Sequence, residues 1–133
     1  MAIRGKIRVV RDMGNGYTGT VTDTVANPNV DYNFSSPCGK ELGLKENMIV
    51  RMEIITLNDG TGAKLAVSLD PVEKGKIVTT DPANNSGTLT DNAGNTVNFV
   101  QDYITELGLA TGDRVSYTMV NYNGAMVATA IQK

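Results

Sequence analysis

The sequence predicts an all-β fold made of two copies of one small barrel, and three observations carry that expectation. The first is a segment written twice, Glu41-Leu42-Gly43-Leu44 and Glu106-Leu107-Gly108-Leu109. Upstream, Gly19-Thr20-Val21-Thr22-Asp23 recurs as Gly87-Thr88-Leu89-Thr90-Asp91, and Gly5-Lys6-Ile7 as Gly75-Lys76-Ile77. The offsets are 65, 68 and 70 residues, so the order is kept and only loops change length. Two copies of one unit produce that pattern; a single larger fold does not. The second observation is alternation of apolar and polar residues with a period of two. The third is turn chemistry between the alternating runs, rich in Asn and Gly, which accept positive φ.

In chain order, Ile3, Gly5, Ile7 and Val9 alternate with Arg4, Lys6 and Arg8 as a first strand. Asn15-Gly16 turns the chain, and Thr20-Val21-Thr22 sets one apolar residue between hydroxyls. Tyr32-Asn33-Phe34 is the third run, and the residues near Glu41 leave room for a helical turn or two. Val50, Met52 and Ile54 alternate with Arg51 and Glu53; Asn58-Asp59-Gly60 then turns into a last strand, Lys64 to Leu69. The second unit repeats the series. Lys74 to Val78, Thr88-Leu89-Thr90 and Val97-Asn98-Phe99 precede a brief helical segment near Glu106. Val115, Tyr117 and Met119 alternate with Arg114, Ser116 and Thr118; Asn123-Gly124 turns into Ala125 to Ile131. The Asp-Pro pairs at 70–71 and 81–82 punctuate loops. Five short strands with one irregular connection after the third predict a Greek-key barrel of the OB type. The expected units are residues 1–70 and 71–133, with Asp70-Pro71-Val72-Glu73-Lys74 too short a link for free tumbling.

Composition narrows the function. Units of about 65 residues lie near the lower limit for folding alone, so packing of one unit on the other is expected. There is one cysteine, Cys38, and no histidine. A single cysteine cannot form an internal disulfide, which fits a reducing compartment. No run approaches the length of a membrane span, and Met1-Ala2-Ile3-Arg4-Gly5-Lys6 lacks the apolar core of a signal peptide. A cytoplasmic protein is expected. Net charge is −2. Residues 1–70 carry eight basic against eight acidic side chains, and residues 71–133 carry four against six. Neither unit is strongly basic, but Arg4, Lys6, Arg8 and Arg11 gather at the start of the first.

The second unit resembles a cold-shock domain along nearly its whole length. Lys74-Gly75-Lys76-Ile77-Val78 resembles that family's opening Lys-Gly-x-Val-Lys strand, and Gly87-Thr88-Leu89-Thr90 its Gly-Phe-Ile-Thr. Residues 97–104 align without gaps to Val-Phe-Val-His-Phe-Ser-x-Ile, and Gly112-Asp113-Arg114-Val115-Ser116-Tyr117 to Gly-Gln-Lys-Val-Ser-Phe. Ala128-Thr129-Ala130-Ile131 closes where the family reads Ala-x-x-Val; the first unit follows the same frame more loosely. The resemblance implies the barrel fold and single-strand binding by stacking on exposed aromatics of the second and third strands. Those platform positions read Ser86, Thr88, Asn98, Val100 and Gln101 here, and Thr18, Thr20, Asn33, Ser35 and Ser36 in the first unit. The opening strand's tryptophan position reads Val9 and Thr79. The resemblance carries the fold across and leaves the binding residues behind. Val21, Phe34, Leu89, Phe99 and Ile104 are expected in the core.

The candidate chemistry is sparse. Without histidine there is no imidazole for acid-base work, so an enzyme is not expected. Serines lack a base, and Cys38, between Pro37 and Gly39, reads as a small loop or core filler rather than a nucleophile. The absence of histidine and of a second cysteine excludes the common zinc sites. Asp91-Asn92-Ala93-Gly94-Asn95 reads as a hairpin turn, not a calcium loop, so no metal or other cofactor is expected. Arg4, Lys6 and Arg8 alternate onto one strand face with Arg11 beyond; such a row can follow a phosphate backbone or simply be a solvated edge. Tyr32 and Tyr117 are expected in the core; Tyr17 and Tyr122 flank turns and are expected to be exposed. Two functions stay open: a single-stranded DNA or RNA binder using Arg4, Lys6, Arg8, Arg11 and Tyr17, and a non-catalytic protein-interaction or structural module on the same fold.

Overall fold

The computed structural model describes residues 3–133 apart from 15, 27, 39, 68 and 71. Asn15, Gly39 and Pro71, three loop residues singled out in the sequence, therefore lie outside the described residues, as do Met1 and Ala2. The first five strands are β1 (Ile3–Asp12), β2 (Tyr17–Asp23), β3 (Val30–Ser36), β4 (Ile49–Thr56) and β5 (Lys64–Val67). The next five are β6 (Glu73–Asp81), β7 (Ser86–Asp91), β8 (Thr96–Val100), β9 (Arg114–Tyr122) and β10 (Ala125–Gln132). They form two closed five-stranded barrels in tandem, with strand orders β1-β2-β3-β5-β4 and β6-β7-β8-β10-β9. In each, the first strand pairs antiparallel with the fourth, and the third pairs parallel with the fifth. This is OB-type topology, and closure leaves neither barrel a free edge.

The two barrels share one register. Gly5 pairs with Asp23, Ile7 with Val21 and Val9 with Thr20; Gly75 pairs with Asp91, Ile77 with Leu89 and Thr79 with Thr88. The skipped residue, Arg8 or Val78, marks a β-bulge at the same place in both copies. A bulge puts one extra residue against its partner and shifts the alternation beyond it by one. The bulged strand bends over its neighbour, β2 in the first barrel and β7 in the second. An added Cβ on Gly19 would lie 1.9 Å from the Val9 carbonyl oxygen and 2.7 Å from the Phe34 ring. On Gly87 it would lie 2.3 Å from the Thr79 oxygen and 2.5 Å from the Phe99 ring. Only glycine fits beneath that bend, which is why both copies keep it.

The interior follows the alternation. Ile7, Val21, Phe34, Val50, Met52 and Ala66 fill the first barrel, and Ile77, Leu89, Phe99, Val115, Tyr117 and Ala128 the second. All five residues that the cold-shock likeness assigned to the core are buried. Tyr117 is core as expected, whereas Tyr32 is half-buried and packs against the core margin. Among the described strand positions that face the two interiors, one pair differs strongly in size: Met52 in β4 corresponds to Tyr117 in β9.

The Glu-Leu-Gly-Leu segments take equivalent places after β3 and β8. Gly43 and Gly108 have φ of 72° and 69°, and Leu44 and Leu109 plug their barrels. The Leu42 N–H donates to the Cys38 carbonyl and the Leu107 N–H to that of Tyr103, 65 residues on. Among the described residues only the second copy forms a helical turn, α1 (Ile104–Leu107). A second short element was not foreseen: Pro82–Asn84 is a 3-10 turn where the sequence predicted a plain loop. Proline fits there because the first turn of a helix needs no N–H from it. Among the described residues no helix is long and apolar enough to cross a membrane.

The barrels meet along a seam. Cys38, two residues past the end of the first barrel's β3, is fully buried with Val120 and Val127 of the second, and Leu42, Val100 and Tyr122 close around it. The Ser35 hydroxyl donates to Asp102 Oδ2 at 3.0 Å, and Thr118 Oγ1 donates to the Asp70 carbonyl at 2.9 Å. The link is pinned on both sides: the Asp70 N–H donates to Arg51 O and the Val72 N–H to Tyr117 O, each at 2.9 Å.

Candidate nucleic-acid interface

The first strand carries the charge. Arg4, Lys6, Arg8 and Arg11 are all exposed. Strict alternation would turn Arg11 to the opposite face from Arg4, Lys6 and Arg8. The bulge at Arg8 corrects the phase, so Val10 packs inward and Arg11 joins the outer face beside Thr18. The single backbone irregularity of β1 therefore gathers all four cations into one row. Arg51 on β4 stands directly opposite Arg4 and extends the row sideways.

The row is not wholly free. Arg8 Nη1 lies 3.8 Å from Asp31 Oδ2, with both side chains at least half exposed (61% and 50%). A solvated pair of this kind contributes only about 0–1 kcal/mol and is readily exchanged for another anion. Asp31 is held in place by a 2.6 Å hydrogen bond from Thr22 Oγ1.

The sequence singled out only the first unit's cations. The structure adds a smaller group on the second barrel, where Lys76 faces Arg114 across β6 and β9, and Lys74 stands nearby. Lys133 lines the same surface hollow as Lys74 and Arg114, but Asp113 engages it at 3.2 Å. The repeat itself was the available signal, since Lys74 and Lys76 align with Arg4 and Lys6. Beyond them the copies part: Val78 and Asp81 stand where Arg8 and Arg11 do.

Part of the positions that a cold-shock platform would occupy lies at the contact between the barrels. Ser35, Ser36, Val100 and Gln101 lie at the ends of β3 and β8, where the barrels meet. Gln101 is buried and spans the seam's second wall, its Oε1 accepting the Ile131 N–H at 3.0 Å. An aromatic ring in place of the buried Gln101 would lose that hydrogen bond, whereas Ser35, Ser36 and Val100 also line an open groove. The outer platform residues Asn33 and Asn98 remain exposed but offer no π-face. In the second barrel Thr79 and Thr88 hydrogen-bond each other at 2.8 Å, which uses the polar groups of that row internally.

Tyr17 and Tyr122 are not exposed as the sequence suggested. Both are half-buried, and they line one groove from opposite barrels. Two adjoining hollows share Gly16, Tyr17, Pro37 and Tyr122, and Thr18, Asn85 and Asp102 extend the wall. Only contact between barrels creates this groove, so neither turn alone could announce it. Burial raises the Asp102 pKa above its ordinary value, partly offset by the hydrogen bond from Ser35. Asn85 Nδ2 donates to its other oxygen at 3.2 Å.

Cys38 is chemically quiet. Burial pushes its thiol up to about 12, with Thr129 hydrogen bonding opposing and the Glu41 and Asp102 carboxylates adding to the rise. Among the described residues no group of three or more acidic, cysteine or histidine side chains is placed to hold a metal ion. The Asp91 carboxylate is spent on its own turn, accepting the N–H groups of Ala93 and Asn95 at 2.9 Å each. Comparison of the chain with protein-family models, with curated proteins and with solved structures returned no match.

Proposed function

We propose that this chain binds single-stranded DNA or RNA mainly through its phosphates, as a divergent relative in architecture of the cold-shock proteins, which it resembles in sequence. The carrying observation is the exposed row of Arg4, Lys6, Arg8 and Arg11, unified by the bulge and flanked by Arg51. Cations spaced along one strand can displace the counterions of a nucleic-acid backbone, which makes binding sequence-tolerant and salt-dependent. Tyr17 lies one residue from Thr18, the strand partner of Arg11, and belongs to the same surface. A single buried cysteine suits a cytoplasmic protein, the setting this reading assumes.

A second reading rests on a separate observation. The seam occupies the ends of both platforms, so the barrel has been adapted for contact with protein. A non-catalytic module that binds a protein partner would follow if nucleic acid is not bound.

Titration of fluorescent single-stranded oligonucleotides at two salt concentrations separates the two. Weak binding with little base preference and a steep loss of affinity at higher salt supports the first reading. No binding at low salt removes it and leaves the interaction module.

A further inference from the structure

The geometry points to the groove between the barrels, walled by Tyr17 and Tyr122, as a pocket for a nucleobase of the bound strand. This inference rests on the nucleic-acid reading and adds to it the one element its phosphate contacts lack. The groove opens at the far end of β1, where Asp12 and Met13 form part of its rim. Arg11, the last cation of the row, faces Thr18, and Thr18 lines the groove. A backbone following Arg4 to Arg11 is thus led to the groove mouth.

The lining chemistry selects what enters. Asp12, Glu41 and Asp102 outnumber Lys40 in the lining and oppose a phosphate, so the backbone stays outside on the row of cations. A neutral planar base meets no such opposition. The two phenol rings supply apolar faces from both barrels, and the Asn85 and Asn123 amides offer polar groups to a base edge. Aromatic faces with side-chain amides suit a flat heterocycle that carries both donors and acceptors. Because stacking accepts any base, the pocket adds affinity without imposing a sequence. The two barrels bind as one unit, since half of the pocket belongs to each.

The test compares two strands of equal length on the full chain at low salt: oligothymidylate, and the same sugar-phosphate backbone without bases. With no tryptophan in the chain, tyrosine emission is observable, and its change in the Tyr17 and Tyr122 variants assigns quenching to the groove. The base-bearing strand is expected to bind about tenfold more tightly than the abasic one and to quench tyrosine emission. Tyr17→Ala should bring that ratio toward one, Tyr17→Phe should restore it, and Asn98→Ala, exposed and outside the groove's lining, should leave it unchanged. Tyr122→Ala should act like Tyr17→Ala; because Tyr122 also packs at the seam, Tyr122→Phe, which keeps the ring, should retain the ratio. Equal binding of the two strands overturns the pocket while leaving the phosphate reading intact. A ratio that survives Tyr17→Ala and Tyr122→Ala together also overturns it. Quenching by a lysine- and arginine-rich peptide but by neither strand overturns it in favour of a protein ligand. Failure of both strands to bind at low salt removes the phosphate reading and the pocket together.

Discussion

The two barrels share an interior and differ on their outsides. Phe34 and Phe99, Val50 and Val115, Ala66 and Ala128 occupy matched places, and the bulge recurs after Ile7 and Ile77. On the surface, Arg8 and Arg11 of the first barrel become Val78 and Asp81 of the second. The Arg8–Asp31 ion pair has no charged counterpart, since Val78 and Thr96 stand in those places. Packing constrains the inside of both copies equally. The outside has been free to specialise, and only the first barrel has kept a continuous cationic row.

The comparison breaks most severely if the cores are not equivalent. Phe34→Ala and Phe99→Ala should each cost about 3–5 kcal/mol, because each ring is buried under a glycine that cannot fill the space. Thermal unfolding followed by circular dichroism measures both; a Phe99→Ala protein that melts like the parent would show the assigned register to be wrong. Because the barrels share a seam, loss of either should be felt by the other.

The seam offers the next test. With its pKa raised from 9.0 to about 12, Cys38 should hold about a thousandfold less thiolate near pH 8 than an ordinary cysteine. A thiol reagent should therefore label native protein far more slowly than protein in denaturant. Fast labelling of the native chain would mean that the barrels separate in solution.

Binding should expose the surface asymmetry. Changing Arg4, Lys6 and Arg8 together to Ala should remove most oligonucleotide affinity and lower the logarithmic salt slope by about 2, at roughly 0.7 per phosphate contact on a single strand. Changing Lys74 and Lys76 to Ala should do less, because their row stops at Val78. Equal losses from the two variants would make the barrels equivalent binders.

The smallest effect concerns Asp102. Its folded pKa lies above its ordinary 3.8, so the folded protein holds this proton more readily than the unfolded chain does. Its contribution to stability is therefore greatest at acid pH and declines as pH rises through the folded value. Asp102→Asn keeps an acceptor for Ser35 and removes that decline. The stability of the variant relative to the parent should grow as pH rises from about 4 to neutrality. A constant difference across that range would place the ionised carboxylate in water rather than in the seam.

Much of this was legible in the sequence because it is local or repeated. Alternation located the strands, and the double Glu-Leu-Gly-Leu fixed how the copies correspond. Core residues such as Val21 and Leu89 announced themselves between hydroxyls. The bulge did not, because one extra residue leaves the pattern Arg4-Gly5-Lys6-Ile7-Arg8 undisturbed until its partner strand is known. The seam was equally hidden: Ser35, Cys38 and Asp102 are far apart in the chain, and nothing in their neighbourhoods names their partners. Tyr17 and Tyr122 read as exposed because each flanks a turn, and the groove they share forms only where the two barrels meet. The four cations were visible, but their common face depended on the bulge.

The mismatch of Met52 with Tyr117 bears on how the chain avoids confusing its own halves. Matched registers mean that β9 could in principle close the first barrel and β4 the second, the kind of misassembly to which repeated domains are prone. In the wrong partner, Tyr117 would overfill a space shaped for Met52, and Met52 would leave a void in the other. One bulky side chain thus serves as an identity mark, telling each strand which sibling it belongs to while the chain is still folding.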